Sequence, residues 1–393
     1  MRNVLAAVKD KGALDELGIG QLRDVYSELM FPGFSTIQTR SRYFLAIPTI
    51  LRNWADQTPA GRRRVPLDDY LHQQEDQLTA HLVDSYKALG KAPEGVIGHT
   101  VVDKGGVQRR PSSTYWNGLR TFGLVRREQS LAEFCREWGT GVHYTNGVSA
   151  EEGLDDERAL AIDVLRPPCP RGGWSEGMTL DLRKDEAAFL AERFKAGGER
   201  GLAVTGQLLQ TRQVAQALSC ETFEALAAWV RTNALLDASC VHVVEKAWRF
   251  SLAVEGAHII FNRLIAARLQ HNPLKESTLR KWGKWQDRQR AEGVFHPGAV
   301  AEWTSALALS GRRVRLKCDK FLEQWNQAMC EGWSLARLDT LVGQRALETK
   351  CNRSLLRRTS GLSRNAQWFG MEALDFRWRT AHRMLRDIHE AAQ

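Results

Sequence analysis

Several short motifs that mark enzyme sites are missing from this sequence of 393 residues. It has no GxxxxGK[ST] phosphate loop, no HExxH, no GxSxG and no HxE paired with PCxxC. Their absence argues against a P-loop nucleotidase, a zincin, an α/β-hydrolase and a zinc deaminase. The run Gly18-Ile19-Gly20 lacks the third glycine of a dinucleotide-binding fingerprint. We therefore expect no cofactor.

Cysteine is also sparse. The seven cysteines are widely spaced, and no two of them form a CxxC pair. This spacing excludes zinc-ribbon and thioredoxin-type motifs. We expect reduced, mostly buried thiols and no metal site.

Long apolar stretches and targeting segments are equally hard to find. No apolar run approaches the length that a membrane span needs. The first 18 residues have no apolar signal-peptide core ahead of their charges. The expected location is the cytoplasm, without membrane contact.

The apolar spacing that is present is mostly helical. Apolar residues recur at three- and four-residue steps in the segments 21–30 and 67–89, which predicts amphipathic helices. The segment 248–269 is the most apolar long segment and is predicted to be a central core helix. The fold class that we expect is mainly α and multi-helix. The predicted parts are a helical domain over 1–138, a turn-rich linker over 139–175, a central helical domain over 176–270 and a basic helical domain over 271–393.

The segment 95–130 departs from this helical pattern. A loop rich in glycine and arginine precedes a short helix, TYWNGLRTF, which Gly123 and the run LVRRE follow. This order resembles the third helix and wing of a winged helix-turn-helix, so we predict a module with short strands here. Plain connectors can have the same order. The residues that would lie near a groove are Arg109, Arg110, Thr114, Asn117, Arg120, Arg126 and Arg127.

Positive charge is distributed unevenly. The formal net charge is +9, and the segment 271–393 alone holds 22 Lys and Arg against 13 Asp and Glu. Such clustering is typical of a phosphate-binding face, although an ordinary soluble surface can carry the same charge. The side chains predicted to contact DNA are Arg40, Arg42, Arg62, Arg63, Arg64, Arg109, Arg110, Arg120, Arg312, Arg313, Arg315, Arg357 and Arg358.

Arginine and tryptophan alternate in KWGKWQDRQR and FRWRTAHRMLR. Aromatic faces can stack on unpaired bases. The helical spacing of Trp282, Trp285 and Trp378 instead favours positions in the core. DNA contact would then come mainly from the charges.

One residue set is compatible with nuclease chemistry. Asp339, Glu348 and Lys350 spell D…ExK, with which a metal-dependent nuclease could hold Mg²⁺ and stabilise the transition state. Such a core needs adjacent strands, whereas the segment 335–356 has helical spacing. A salt-bridged surface is the alternative interpretation.

The segment FPGFSTIQTRSRYFLAIPTI, residues 31–50, joins turn residues to an apolar run. We predict that Ser35 or Thr36 caps a helix reaching about Trp54 and that Pro48 kinks or splits this helix. Its first apolar residues should not all face inward.

The polar half of the same segment, STIQTR, is a candidate binding element. A capped helix start has free N–H groups and a positive dipole end. Ser35, Thr36 and Gln38 are therefore predicted to form an anion or partner site.

The N-terminal segment carries a specific pattern: LGIG, then LRD, then FPG with STIQTR, then RYF and an aliphatic run with proline. In this pattern the chain resembles the bacterial domain of unknown function 6361 family. Weaker similarity extends to SSTYWNGLRTFG, DLRKDEAAFL, AWRFSLAVEGAHIIFNRLIAARL and DFRWRTAHRML, and so to most of the chain.

The resemblance implies a role but no catalytic residue. It implies an association with defence islands, near helicases and phospholipase-D-like nucleases. We therefore expect a non-enzymatic, DNA-associated accessory or scaffold subunit of an anti-phage defence complex. Its partners would be duplex DNA and a helicase or phospholipase-D-like nuclease. A divalent-metal-dependent nuclease and a subunit that binds only proteins remain as alternatives.

Overall fold

The computed structural model is mainly helical, as predicted. It describes residues 15–100, 109–139, 162–168, 175, 177–198, 201–311, 317–358, 362 and 367–393. The helices in chain order are α1 (Gly20–Met30), α2 (Tyr43–Ala55), α3 (Pro59–Arg64), α4 (Leu67–Ala88), α5 (Pro111–Thr121), α6 (Leu131–Gly139), α7 (Lys184–Lys195), α8 (Val204–Gln210), α9 (Val214–Ala217), α10 (Phe223–Arg231), α11 (Ala238–Leu269), α12 (Asn272–Ala291), α13 (Ala299–Thr304), α14 (Ala306–Leu309), α15 (Asp319–Cys330), α16 (Leu335–Lys350) and α17 (Trp378–Ala392). A 3₁₀ turn, Cys351–Arg353, follows α16.

The chain is divided into two compact units, each made of two separate stretches. Unit 1 comprises Met1–Met30 and Thr222–Phe376, and unit 2 comprises Phe31–Glu221 and Arg377–Gln393. Both units therefore depend on contacts between segments that are far apart in sequence. The domain limits inferred from composition stay a prediction, since most of the linker 139–175 lies outside the described residues.

The core helix of unit 1 is α11, in agreement with the apolar run that predicted it. All but one of the residues 250–262 are buried. Trp285 of α12 lies against the backbone at Gly256, where a Cβ atom would come within 2.2 Å of the ring. The indole nitrogen of Trp285 donates to the Leu252 carbonyl at 2.7 Å. Because Gly256 has no side chain, the Trp285 ring packs directly on the backbone of α11, and this contact joins α11 and α12.

The same helix corrects one expectation from the sequence. By length and composition alone, α11 could cross a membrane, although no such run was expected. In unit 1, however, 78% of its apolar window is buried, as in the core helix of a soluble protein. The cytoplasmic location stays a prediction.

An aromatic cluster fills the core of unit 2. It consists of Phe34, Phe44, Phe122 and Phe194, whose ring centroids lie between 4.4 and 6.3 Å apart. Helix α5 approaches α2 closely because it has Gly118 at the contact, where a Cβ atom would lie 2.6 Å from the Phe44 ring. These rings place α2, α5 and α7 around one core.

The start of α2 differs from its prediction. The helix begins at Tyr43 with Arg42 as its N-cap, and not at Ser35 or Thr36. The residues 35–42 form an irregular loop because other parts of unit 2 bond to its backbone and side chains. A local capping pattern cannot compete with so many tertiary hydrogen bonds.

The interior of α2 excludes one of the two predicted effects of Pro48. The segment is one helix that continues through Pro48 without being split. The expectation that its first apolar residues cannot all face inward was wrong, because both α4 and α5 pack against it. The buried residues include Tyr43, Phe44, Leu45 and Ile47.

The winged-helix prediction for the segment 95–130 was wrong. The described part of this segment contains no strand, and its β-type pairing is an isolated antiparallel bridge between Val125 and Val164. Gly123 has a left-handed φ of 65° after α5. Leu124 and Val125 are then buried in the core. The predicted wing strand is therefore an irregular connection whose first two residues are buried.

Glu75 of α4 caps α5. Its carboxylate accepts a hydrogen bond from the Ser112 backbone N–H in the first turn of α5. The Arg110 guanidinium lies 4.0 Å from the carboxylate. Burial raises the pKa of Glu75 to about 7, although the bonds from Ser112 and the charge of Arg110 act in the opposite direction.

Glu75→Gln should therefore change the pH dependence of stability. A group with a pKa of about 7 in the folded state and 4.5 in its ordinary state holds a proton that the unfolded chain releases between these values. The stability contributed by Glu75 is present below pH 4.5 and falls by about 3 kcal/mol as the pH rises to 7. Glutamine stays neutral and can still accept from Ser112, so the variant gains relative to the wild type over this range.

Urea unfolding between pH 4.5 and 8 measures this difference. The exposed Glu94→Gln is the matched control, whose difference from the wild type should stay constant with pH. Parallel pH profiles for Glu75→Gln and the wild type would contradict the raised pKa.

Candidate nucleic-acid interface

The arginines predicted to contact DNA fall into three groups in the structure. Arg312, Arg313 and Arg315 lie outside the described residues. Those whose side chains bond to other parts of unit 2 are Arg40, Arg42, Arg62, Arg110 and Arg120. Those that are exposed and form no ion pair with a described residue are Arg63, Arg64, Arg109, Arg357 and Arg358.

Arg40 lies at the centre of the loop 35–42. Its Nε donates to Asp387 at 2.8 Å, and its Nη2 donates to Asp181 at 2.7 Å. The Tyr115 hydroxyl accepts from the Arg40 backbone N–H at 3.0 Å. Burial lowers the pKa of Arg40, but the charges of Asp387 and Asp181 more than offset this effect and raise the pKa above its ordinary value. The charged Arg40 side chain therefore links the loop 35–42 to Asp181 and Asp387 within unit 2.

Arg42 and Gln38 are used within the same unit. The Arg42 Nη2 donates to the fully buried carboxylate of Glu186 at 2.8 Å. The Gln38 amide nitrogen donates to the Gly33 carbonyl at 3.1 Å, and its oxygen accepts from the Ser35 backbone N–H at 3.0 Å. Both side chains therefore stabilise the loop 35–42 by hydrogen bonds within unit 2.

The predicted anion site at the start of α2 already contains a carboxylate of the chain itself. The Asp387 Oδ2 accepts from the Ser41 backbone N–H at 2.7 Å. Gln38 is buried, and the Ser35 hydroxyl is buried with no hydrogen-bond partner among the described residues. Thr36 is exposed. Of the three predicted side chains, Thr36 is the one that solvent reaches freely.

A groove of about 470 Å³ lies at the C-terminal end of α5 and has three arginines in its lining. The Arg120 Nε donates to the Arg127 carbonyl at 3.0 Å, and Arg120 lies 3.6 Å from Glu128. Arg127 pairs with Asp163 at 2.7 Å. Arg126 is exposed and has no ion pair in the described part of the chain. Much of the positive charge of this groove is therefore neutralised.

A concentration of unpaired positive charge lies in unit 1. The segment Cys351–Arg358, here called the arginine turn, exposes Arg353, Arg357 and Arg358 and contains no acidic residue. Arg268, from the last turn of α11, donates to the Arg357 carbonyl at 3.2 Å. None of the four arginines forms an ion pair with a described residue. The Arg357 Nη1 donates to the Asn352 side-chain oxygen at 2.9 Å. Guanidinium groups whose charge no carboxylate neutralises suit the recognition of phosphates.

Glu16 fixes the arginine turn from the inside. The Ser354 hydroxyl donates to Glu16 at 2.9 Å, and the Leu355 backbone N–H points to the same oxygen at 3.3 Å. The Ser354 carbonyl accepts from the backbone N–H groups of Arg357 and Arg358 at 2.9 and 3.0 Å. Burial raises the pKa of Glu16, and the bond from Ser354 opposes this shift. The exposed arginines thus project from a hydrogen-bonded support.

Helix α12 adds exposed cations to unit 1. The members without an ion pair in the described ranges are Lys275, Arg280 and Lys284. On the inner side of the helix, Trp282 and Trp285 are buried, and Trp378 is buried in unit 2. The predicted core positions of these tryptophans are confirmed. Phosphate contact by α12 would therefore involve its charges.

The D…ExK residues all lie on α16, which agrees with the helical spacing of that segment. Asp339 forms an ion pair with Arg263. Among the described residues, no group of three or more His, Cys, Asp or Glu side chains is placed to hold a metal ion. The structure thus gives this set a helical surface position and no strand-based nuclease core.

Of the four arginines at the arginine turn and beside it, Arg268 and Arg353 were missed from the sequence. Arg268 and Arg357 are separated by 89 positions, and only the tertiary structure brings them together. Arg353 had a local signal, because it shares the acid-free run CNRSLLRR with Arg357 and Arg358. The predicted interface included Arg357 and Arg358 and omitted Arg353.

Residues 2–279 match the family of unknown function DUF6361, and the chain belongs to this family. The resemblance drawn from the N-terminal pattern is thereby confirmed. No curated protein and no solved structure matches the chain. The matched region includes Arg268 and ends before the arginine turn. Family membership therefore assigns neither an activity nor a role for Arg353, Arg357 or Arg358.

The buried ion pair of Arg40 makes a prediction about stability. Asp387→Ala should lower the free energy of unfolding by about 3–5 kcal/mol, because it leaves Arg40 and the Ser41 N–H without their buried acceptor. Asp181→Ala is the matched control. It removes the other carboxylate of Arg40, but Asp181 is 65% exposed, and exposed pairs contribute about 0–1 kcal/mol. Urea unfolding measures both variants, and equal losses would contradict the role given to Asp387.

The support of the arginine turn makes a second prediction. Ser354→Ala should destabilise unit 1 by about 1–3 kcal/mol, because Glu16 loses a buried donor. Hydrogen exchange should show faster opening of the Arg357 and Arg358 amides, which bond to the Ser354 carbonyl. The control is Thr340→Ala at an exposed position of α16, where a change within about 0.5 kcal/mol is expected. Unchanged exchange in the arginine turn would overturn this account.

Proposed function

We propose that the chain is a non-enzymatic, DNA-associated accessory or scaffold subunit of a bacterial anti-phage defence complex, acting with a helicase or a nuclease. The observation that supports DNA contact is the arginine turn with Arg268. The defence role and its partners rest on the family resemblance. The proposed location is the cytoplasm.

The support comes from how the charges are used. Most arginines of unit 2 that were candidates for DNA contact bond to carboxylates or carbonyls of the same unit. Arg268, Arg353, Arg357 and Arg358 have no such carboxylate among the described residues. The free energy of binding phosphates is therefore not offset by breaking ion pairs. No element of the described fold is a recognised base-reading motif, so contact would be with the phosphate backbone.

The strength of such contact can be estimated. Four phosphate contacts give a slope of about −3.6 for the logarithm of the association constant against the logarithm of the salt concentration. Between 50 and 200 mM salt, the affinity should then fall by roughly 100-fold. A nonspecific complex of this kind suits a subunit that holds DNA while another subunit acts on it.

The test is fluorescence anisotropy with a labelled duplex over this salt range. The double variant Arg357→Glu and Arg358→Glu should bind more weakly, and its salt slope should fall in magnitude by about 2 because two contacts are lost. The matched control is Lys87→Glu with Lys91→Glu, which makes the same change in net charge at exposed positions of unit 2. Its binding should change little.

Three outcomes would replace the proposal. Salt-independent or absent binding would favour a subunit that contacts only proteins. Equal weakening by the two double variants would show that net charge alone matters. Cleavage of the duplex that requires Mg²⁺ or Mn²⁺ and stops with a chelator would favour the nuclease alternative.

A further inference from the structure

A cavity of about 440 Å³ opens in unit 1 between the start of α15 and the second half of α16. Its volume is within the range of about 300–1,000 Å³ that small-molecule sites occupy. Its charged lining residues are Lys317, Asp319, Lys320, Arg345 and Glu348. Glu348 also belongs to the D…ExK set, but no comparison assigns a role to this cavity.

The cations of the cavity are not neutralised by direct contact. Lys317, Lys320 and Arg345 form no ion pair with a residue in the described part of unit 1, including the two carboxylates beside them. Lys317 and Lys320 are exposed. The side-chain amides of Gln324 and Gln344 also line the cavity and have no hydrogen-bond partner among the described residues. The site therefore offers a surplus of hydrogen-bond donors.

Arg345 is held in place by the LGIG turn near the N-terminus. Its Nε donates to the Leu17 carbonyl at 2.7 Å. Its Nη2 lies over Gly18, where a Cβ atom would come within 2.5 Å of that nitrogen. Gly18 also has a φ of 70°, which favours glycine. The two terminal nitrogens of Arg345 form no hydrogen bond with a described residue and so can bind a ligand.

Asp15 makes the support of Arg345 rigid. Its carboxylate accepts from the backbone N–H groups of Gly18, Ile19 and Gly20 at 2.8, 3.1 and 2.8 Å. The turn that seats Arg345 is therefore fixed by three hydrogen bonds to one side chain. Less conformational freedom is lost when such a preorganised guanidinium binds an anion.

We propose that this cavity binds a hydroxylated phosphate monoester of nucleotide or sugar-phosphate size. The guanidinium fork of Arg345 and the ammonium groups of Lys317 and Lys320 bind the phosphate dianion. Asp319 and Glu348 accept hydrogen bonds from hydroxyl groups of the organic part. This arrangement accounts for the presence of both signs of charge without ion pairs between them. The proposal does not depend on DNA binding by the arginine turn.

The test is isothermal titration calorimetry on the full chain with four probes: AMP, ribose 5-phosphate, inorganic phosphate and adenosine. Saturable binding of AMP or ribose 5-phosphate is expected, together with no binding of adenosine. The two phosphate esters distinguish a nucleotide from a sugar phosphate. A short oligonucleotide with and without a 5′-phosphate tests whether a DNA end supplies the same group.

The variants separate a binding site from a purely structural role. Lys317→Ala with Lys320→Ala should weaken binding of the preferred ester by at least about tenfold, because two charge-assisted hydrogen bonds to the phosphate are lost. Both positions are exposed, so the fold should persist. Lys275→Ala with Lys284→Ala on α12 is the matched control and should leave the affinity unchanged. Gly18→Ala, which displaces Arg345, should weaken binding as well.

Several results would overturn the proposal. These are no binding of any phosphate probe, equal affinity for inorganic phosphate and the esters, or equal affinity in the Lys317/Lys320 variant and the wild type. Arg357→Glu with Arg358→Glu should bind the ester normally. This double variant weakens the proposed DNA contact without changing the cavity. Failure of ester binding can therefore be distinguished from failure of DNA binding.

Discussion

Unit 2 depends on one buried carboxylate, that of Asp387. The helix α17 that carries it is separated from the loop 35–42 by more than 300 positions, yet one oxygen accepts from Arg40 and the other from the Ser41 backbone N–H. Burial alone raises the pKa of Asp387, and Arg40 opposes this shift. The loop is irregular and has no ladder of its own, so its polar backbone needs such partners from other elements. The conformation of the loop 35–42 therefore depends on the position of α17 in unit 2.

In unit 1, too, the partners of the carboxylates determine which arginines lack an ion pair. The carboxylates of Asp15 and Glu16 lie near the N-terminus, and both bond mainly to backbone N–H or hydroxyl groups. They therefore support turns and leave the neighbouring arginines unpaired. Composition shows an excess of positive charge in the last third of the chain, but which arginines are available depends on what the nearby acids already hold. Arg345 and Arg357 are available for this reason, whereas Arg40 is not.

The pattern of apolar residues predicted the helices that are buried in the same way along their length. The amphipathic α4 and the inward tryptophans of α12 follow from three- and four-residue spacing, because one face of each helix is buried whatever covers it. The core helix α11 follows from its long apolar run, nearly all of which is buried between residues 250 and 262. The loop 35–42 and the connection after α5 could not be predicted in this way. Their conformations are set by partners such as Asp387 and Val164, and no local pattern identifies those partners. For the same reason, Arg268 was absent from the predicted interface.

Gly18 connects the family pattern to a residue outside the matched region. The match ends at residue 279, but the absent side chain of Gly18 makes room for Arg345, and the Leu17 carbonyl accepts from the same guanidinium. Helix α11 likewise packs on α16, which lies beyond the match. The matched residues therefore do not complete unit 1 by themselves. A chain that ended near residue 279 would expose the inner face of α11 and leave the LGIG turn without the side chain that it seats.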